Sequence, residues 1–490
     1  MNVVVKNITI KLYLLPIMIS SQSTTKNPVL ESHPQVWVPI VLLVIFTALL
    51  LLARAGAVLK FAFPLGVTLI SVGLYKKYPI HYTGFCWWLL FLAPWISRLS
   101  DYQSGVYDPQ RLILAAPYLA ILVIFPDFIR CLPKLCYQKS GALFVFSFIG
   151  IFYSVCIGTV NNNLTVFKSL LEFLTPLMFG YYFYHNWKDY PACAQNVQRV
   201  FRLGVLVMGL YGMVQYVIAP EPDRFWLSKM IEDGGFAFGT PEPLSIRVYS
   251  TMHSPGPFAV FMMAGLLLSF NGKGILQFPS AIAGYVSFML SLVRSAWGGW
   301  FLGLMILFSA SQPKLQMRLI ITVLAMFICV LPLTMMEPFS DVINSRVQTL
   351  TDVKNDGSAV GRQEIYAATL PRALSSWIGS GLGSGQGFDS AVLDTLINLG
   401  WVGTLFYIGG MLVLVYELFH SSIGNRDSFI NASRGIVMAM LMQLLFGNVL
   451  IAPSGIILWG FLGLGIAGCR YREQQQQLQE DYQHHSSALI

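Results

Sequence analysis

The chain has 490 residues, of which 55% are hydrophobic and only 11% charged, with a net charge of +8 and a mean hydropathy of +0.62. A water-soluble domain carries about 25% charged residues, so composition excludes that class. It leaves an all-α polytopic membrane protein, because a chain in hydrocarbon must satisfy its own backbone and needs about 20 apolar residues per helical crossing.

Residues 1–36 read as a cytoplasmic N-terminal arm; Lys11 and the LYLLPIMISS after it resemble a signal peptide but lack a long apolar core and a cleavage site. A single membrane domain is expected over 37–469, with about 12–14 transmembrane helices. Spans are expected near 37–53, 57–75, 82–97, 112–125, 141–160, 165–185, 203–220, 255–270, 278–293, 295–311, 318–336, 396–417, 435–450 and 453–469. Lys76, Lys77, Arg130, Lys134, Lys139, Lys188, Arg199, Arg202, Lys273, Lys314, Arg318, Arg426 and Arg434 fall in one set of short loops. The opposite short loops carry little beyond Arg54, Arg98 and Arg111. Basic short loops mark the cytoplasmic side, so both termini are expected to be cytoplasmic. The net positive charge is then a topology signal and gives no reason to expect nucleic acid.

The seven cysteines fall in spans or cytoplasmic loops, which indicates no disulfide framework. Residues 470–490, with REQQQQLQEDYQHHSS, are polar and low in complexity and are expected to be a disordered cytoplasmic tail.

Two long loops are left on the outer side, about 221–254 and 337–395. Loops of this length are usually functional or disordered. The first ends in PEPLSIRVYSTMHSPGPFA, where Ser254-Pro255 looks like an N-cap followed by proline at the first helical position. His253 stands just before that helix start, six residues after Arg247; it is the one histidine expected on the outer side. An interfacial surface histidine is the plainer reading.

Arg294, in SLVRSAWGGW, lies between two apolar runs with no room for a loop, so it should face a polar cavity or find a partner. Snorkelling to headgroups is the alternative. Two outer helix starts, near 255 and 295, would direct backbone N–H groups and the positive dipole end outward, beside Arg247 and Arg294 respectively. Lys168 and Glu172, four residues apart in a span, could neutralise each other, with Glu172 facing the cavity as the alternative.

In the second long loop, Ile365, Thr369 or Leu370, Ala373 or Leu374, and Trp377 recur at helical spacing and predict a helix along the membrane surface. Arg346, Arg362 and Arg372 add positive charge there, and arginine suits phosphates through its planar, permanently protonated fork. The glycines of GSGLGSG do not fit a nucleotide-binding fingerprint. They predict a flexible return turn, and with it a lid over 361–385 hinged on those glycines. The sequence has no D-x-D, no paired histidines at helix spacing and no Cys/His cluster, so a metal-independent protein with no cofactor is expected.

In order and spacing, RVYSTMHSPGPFA, SLVRSAWGGW, VGRQEIYAATLPRALSSWIGSGLGSG and FDSAVLDTLINLGWVG resemble the O-antigen ligase and Wzy-type polymerase superfamily, over roughly 245–405. The resemblance implies a bacterial inner-membrane glycosyltransferase with a periplasmic active face. Its donor and acceptor would be undecaprenyl-pyrophosphate-linked glycans, with membrane lipid and other polysaccharide assembly and export proteins as partners. Pyrophosphate-binding arginines carry over to Arg294 and, in the long loop, to Arg346 and Arg362. Ligases place a histidine at the start of the last motif, whereas this chain has Asp389. That departure implies a polymerase and leaves the general base among Asp389, Glu364 and His253.

Overall fold

The computed structural model describes residues 34–109, 111–161, 165–234, 238–270, 274–310, 357–384, 390–422 and 427–487, with scattered residues between 312 and 324 and Gly424. The described chain is an all-α polytopic membrane protein, and eight of its helices are long and apolar enough to cross a bilayer. The helices of the described chain begin with α1 (Pro34–Leu52), α2 (Gly56–Lys77), α3 (Pro79–Ser104), α4 (Ala115–Leu122), α5 (Phe125–Leu135), α6 (Lys139–Asn161), α7 (Thr165–His185) and α8 (Tyr190–Ile218). There follow α9 (Glu221–Glu232), α10 (Pro255–Ser269), α11 (Gln277–Leu290), α12 (Arg294–Ser309), α13 (Gly357–Ser375), α14 (Ala391–His420), α15 (Ser428–Met442) and α16 (Ser454–Ser487).

Between helices in lipid there is no hydrophobic driving force, so close backbone contact through small residues has to hold them together. Several helix pairs, three of which follow, are built this way. A methyl on Gly150 of α6 would lie 2.6 Å from the Gly403 carbonyl of α14. One on Gly180 of α7 would lie 2.6 Å from the Trp459 carbonyl of α16, and one on Gly303 of α12 would lie 2.9 Å from the Gly435 carbonyl of α15.

The core turns on Trp87 of α3. Its ring meets Phe179 of α7, Phe201 of α8, Phe261 of α10 and Phe461 of α16 at centroid distances of 5.1, 4.8, 6.2 and 6.1 Å. The first three are edge-to-face, which suits the ring quadrupole, the fourth is tilted, and together they tie five helices at one point. The apolar part of α16 is buried along nearly its whole length, whereas α1 stands at the periphery with most of its surface open.

Several sequence expectations shift. Residues 470–487 are helical, not disordered, because α16 runs on to Ser487. Glu, Gln, Arg and Leu are good helix formers, and a helix already nucleated in the core extends at little cost. The expected span at 435–450 is displaced to α15, and the one at 396–417 begins earlier, at Ala391. Arg98 was expected in a loop but lies inside α3, 1% exposed. The described cysteines are all unpaired, in line with the sequence.

Candidate functional site

One end of the bundle gathers the described residues 105–109, 111, 219–234, 238–254, 291–294, 376–384 and 443–453. All six non-glycine residues with positive φ among the described residues lie at this end: Arg54, Arg111, Ala219, Leu244, Ser250 and Leu292. Such conformations persist only where the surroundings over-determine them, and they cluster at functional sites.

The surroundings here begin with a buried network. Asp223 of α9 is fully buried, with its Oδ1 2.9 Å from Arg98 Nε, and its Oδ2 accepts from Tyr211 at 2.9 Å and Gln215 Nε2 at 3.0 Å. Gln215 Oε1 in turn accepts the N–H groups of Tyr249 and Ser250 at 3.0 and 2.7 Å. The Arg98 guanidinium donates to the carbonyls of Ser250 and Met252 and lies 4.8 Å from the Tyr249 ring centroid. The Ser250 hydroxyl donates to the Met208 carbonyl at 2.6 Å. Charge pair, amide and backbone together fix residues 249–252, and so they fix what comes next.

What comes next is His253, half-buried, then Ser254 in extended conformation and Pro255 opening α10 as the sequence predicts. Burial pushes the His253 imidazole down to about 4, reinforced by the charges of Arg111, Arg98 and Lys168. At neutral pH it is therefore an uncharged imidazole among cations. Arg111 is held by aromatic faces, 5.3 Å from Trp226 and 5.9 Å from Tyr107, and donates to the Tyr107 hydroxyl at 2.8 Å.

Arg247 and Arg294 meet at the corner between α11 and α12. Arg247 donates from Nε to the Ser291 carbonyl at 3.3 Å and from its terminal nitrogen to the Leu292 carbonyl at 3.2 Å. Arg247 thus braces the turn, while Arg294 is the first residue of α12 and half-buried. The structure brings His253, Arg247 and Arg294 to one end. Glu364 and Arg372 are exposed on α13, and Arg362 lies on the same helix with its side chain outside the described part. Arg346 and Asp389 lie outside the described residues.

The glycine run is not a free hinge. α14 breaks at Gly400, and the segment 376–382 fills the gap. Ser380 and Gly381 donate to the Ile397 and Asn398 carbonyls at 2.8 and 3.0 Å, and Trp401 and Val402 donate back to Ser376 and Trp377 at 3.2 and 3.3 Å. Leu382 N donates to the Ser154 carbonyl of α6 at 3.0 Å. Gly379, Gly381 and Gly383 have φ of +83°, +85° and +86°, and any side chain there would strike neighbouring backbone. These glycines serve close approach, and the segment is a wedge. The predicted surface helix is present as α13, which seats Ala373 against Leu393, Leu396 and Ile397 and donates from Tyr366 to Ser390 at 2.6 Å.

Sequence reasoning missed the Arg98–Asp223–Gln215 network. Its one available signal was an arginine only a turn beyond the apolar stretch of α3. No protein-family model matches the chain, and no curated protein matches it.

Proposed function

We propose that this chain is a glycosyltransferase of a bacterial inner membrane that polymerises undecaprenyl-pyrophosphate-linked repeat units at its periplasmic side, with both termini cytoplasmic. The observation that carries the reading is the gathering of His253, at the start of α10, with Arg247 and Arg294 at one end of the bundle. The four sequence motifs supply the chemical class; the geometry supports it.

In the proposed reaction an acceptor hydroxyl oxygen attacks the anomeric carbon of the donor sugar. The bond from that carbon to the pyrophosphate oxygen breaks, and the electron pair leaves with the pyrophosphate. Fixed positive charge where that anion develops is the main requirement, and Arg294 with Arg111 supplies it. The hydroxyl proton goes to a base drawn from His253, Asp389 and Glu364. His253 gains basicity as donor binds, because the anion offsets the cations that depress it.

A lipid-linked oligosaccharide transporter is the second reading, favoured by one observation: α14 is discontinuous at Gly400 beside a buried Asp394, a device of transporter sites. The test is purified protein in liposomes given a lipid-linked repeat unit. Longer chains support polymerisation; translocation without elongation overturns it.

A further inference from the structure

A second polar cluster lies at the same end, and the reaction above does not use it. Asp394, one turn into α14 and 5% exposed, is held on both carboxylate oxygens. Oδ1 accepts from Asn398 Nδ2 at 3.1 Å, and Oδ2 accepts from Asn448 Nδ2 at 3.0 Å, reaching across from the loop after α15. Across from them stands Glu172 of α7, whose own carbonyl accepts the Ala452 N–H at 2.9 Å and so joins α7 to that loop. The charges acting on Glu172 are Lys168, 4.0 Å away, and Asp394.

Polar and ionisable groups inside a membrane bundle are costly and mark binding sites or ion pathways. A purely structural role for the two asparagines would be to satisfy Asp394, and they do so. That role leaves Asn448 Oδ1 unexplained: it is buried and has no hydrogen-bond partner among the described residues. A buried acceptor without a partner forfeits its solvation, which is offset only when a donor arrives. The carboxylates of Asp394 and Glu172 are also acceptors. Asn448 Oδ1 and the Asp394 carboxylate present acceptors, and a ligand that brings donors fits them. Neighbouring hydroxyls on a ring do this at fixed spacing.

We infer that Asp394, Asn448 and Glu172 form a sugar-binding subsite that takes hydroxyls of the lipid-linked glycan. Its position follows from Lys168, which pairs with Glu172 on one side while its charge reaches His253 on the other. The subsite therefore lies at the same end of the bundle as the arginines assigned to pyrophosphate, the end that the first sugar of the glycan must occupy. This assignment rests on the glycosyltransferase reading.

The test uses the full chain in nanodiscs and two probes: bare undecaprenyl pyrophosphate, and the lipid-linked oligosaccharide that accumulates in cells lacking this protein. The glycan-bearing lipid should bind more tightly than the bare lipid. Asn448→Ala and Asp394→Asn should each weaken it by roughly 10–100-fold, the range for a lost hydrogen bond to a charged group, and should change the bare lipid less than about twofold. Asn448→Ser, which perturbs packing less, is measured in parallel and should show the same selectivity. Equal loss for both probes, no loss for either, or binding that depends on sodium would overturn the subsite. The outcomes also separate the two claims. Selective glycan binding without elongation in liposomes defeats polymerisation and leaves the subsite standing, while elongation without selective loss in these variants defeats the subsite alone.

Discussion

The two ends of the bundle use arginine differently. At the end carrying Asp427, the arginines of α15 and α16 are held against named partners. Asp427 caps α15 by accepting from Phe429 N at 3.0 Å and takes Arg472 at 2.7 and 2.9 Å. Arg434 donates to the Leu418 carbonyl at 3.0 Å, and Arg470 stacks 4.9 Å from the Trp187 ring. At the Arg294 end Arg98 is neutralised by Asp223, but Arg111 and Lys168 both act on an uncharged histidine, and the strained backbone of the described chain is concentrated there. Arginine tied to a helix end makes a clamp. Arginine beside a strained, over-determined backbone makes a place for an anion.

The comparison breaks first at Asp223. Removing one partner of a buried ion pair leaves an uncompensated charge and costs about 3–5 kcal/mol. Asp223→Ala should lower thermal stability in detergent by that order and open the 238–254 segment to protease. Arg98→Met combined with Asp223→Leu should recover most of the stability. Recovery of stability without recovery of polymer formation would assign the pair its positioning role; recovery of both would reduce it to a structural clamp.

Arg294 comes next. Arg294→Ala should reduce elongation by about 10²–10³, equivalent to roughly 2.7–4 kcal/mol of transition-state stabilisation, with unfolding temperature nearly unchanged. Arg294→Lys should fall between. Wild-type chain length in a normally inserted Arg294→Ala protein would end the assignment.

The wedge gives a third test. An alanine at Gly381 must adopt positive φ and press on the Gly158 backbone, so Gly381→Ala should destabilise by about 1–3 kcal/mol. A spin label at Ser375 should keep its mobility when lipid-linked donor binds, as a wedge requires and a lid forbids.

His253 adds a pH dependence. Its folded value, near 4, lies below its ordinary 6.5, so between those values the unfolded chain binds the proton and the folded chain does not. Stability should fall as pH drops from about 6.5 towards 4, and His253→Gln should flatten that slope. An unchanged slope would mean that the imidazole is not held uncharged.

Much of this end was legible in the sequence for a simple reason: a charge or a helix start inside an apolar run has few explanations. Arg294, the Ser254-Pro255 helix start and the Lys168–Glu172 pair were all read that way. The glycine run was misread because a glycine needed for close approach and one needed for flexibility are the same letter. The tail was misread because low complexity says nothing of a helix already nucleated upstream. The Arg98–Asp223 pair joins residues more than a hundred positions apart, and no local pattern encodes such a partner.

The smallest effect is expected at the opposite end, and it is what gives the comparison its force. Arg472 bonds Asp427 with two nitrogens, yet its side chain is 49% exposed. Solvent screens such a pair, and exposed ion pairs contribute about 0.2–1 kcal/mol. Asp427 would also keep its capping bonds to Phe429 and Ile430 after the arginine is gone. Arg472→Gln should therefore cost less than about 1 kcal/mol and leave both chain elongation and lipid-linked glycan binding at wild-type levels. Measured beside Arg294→Ala in one preparation, it asks whether an arginine matters for its charge or for where that charge stands. A large loss of elongation from Arg472→Gln would erase the distinction between the two ends.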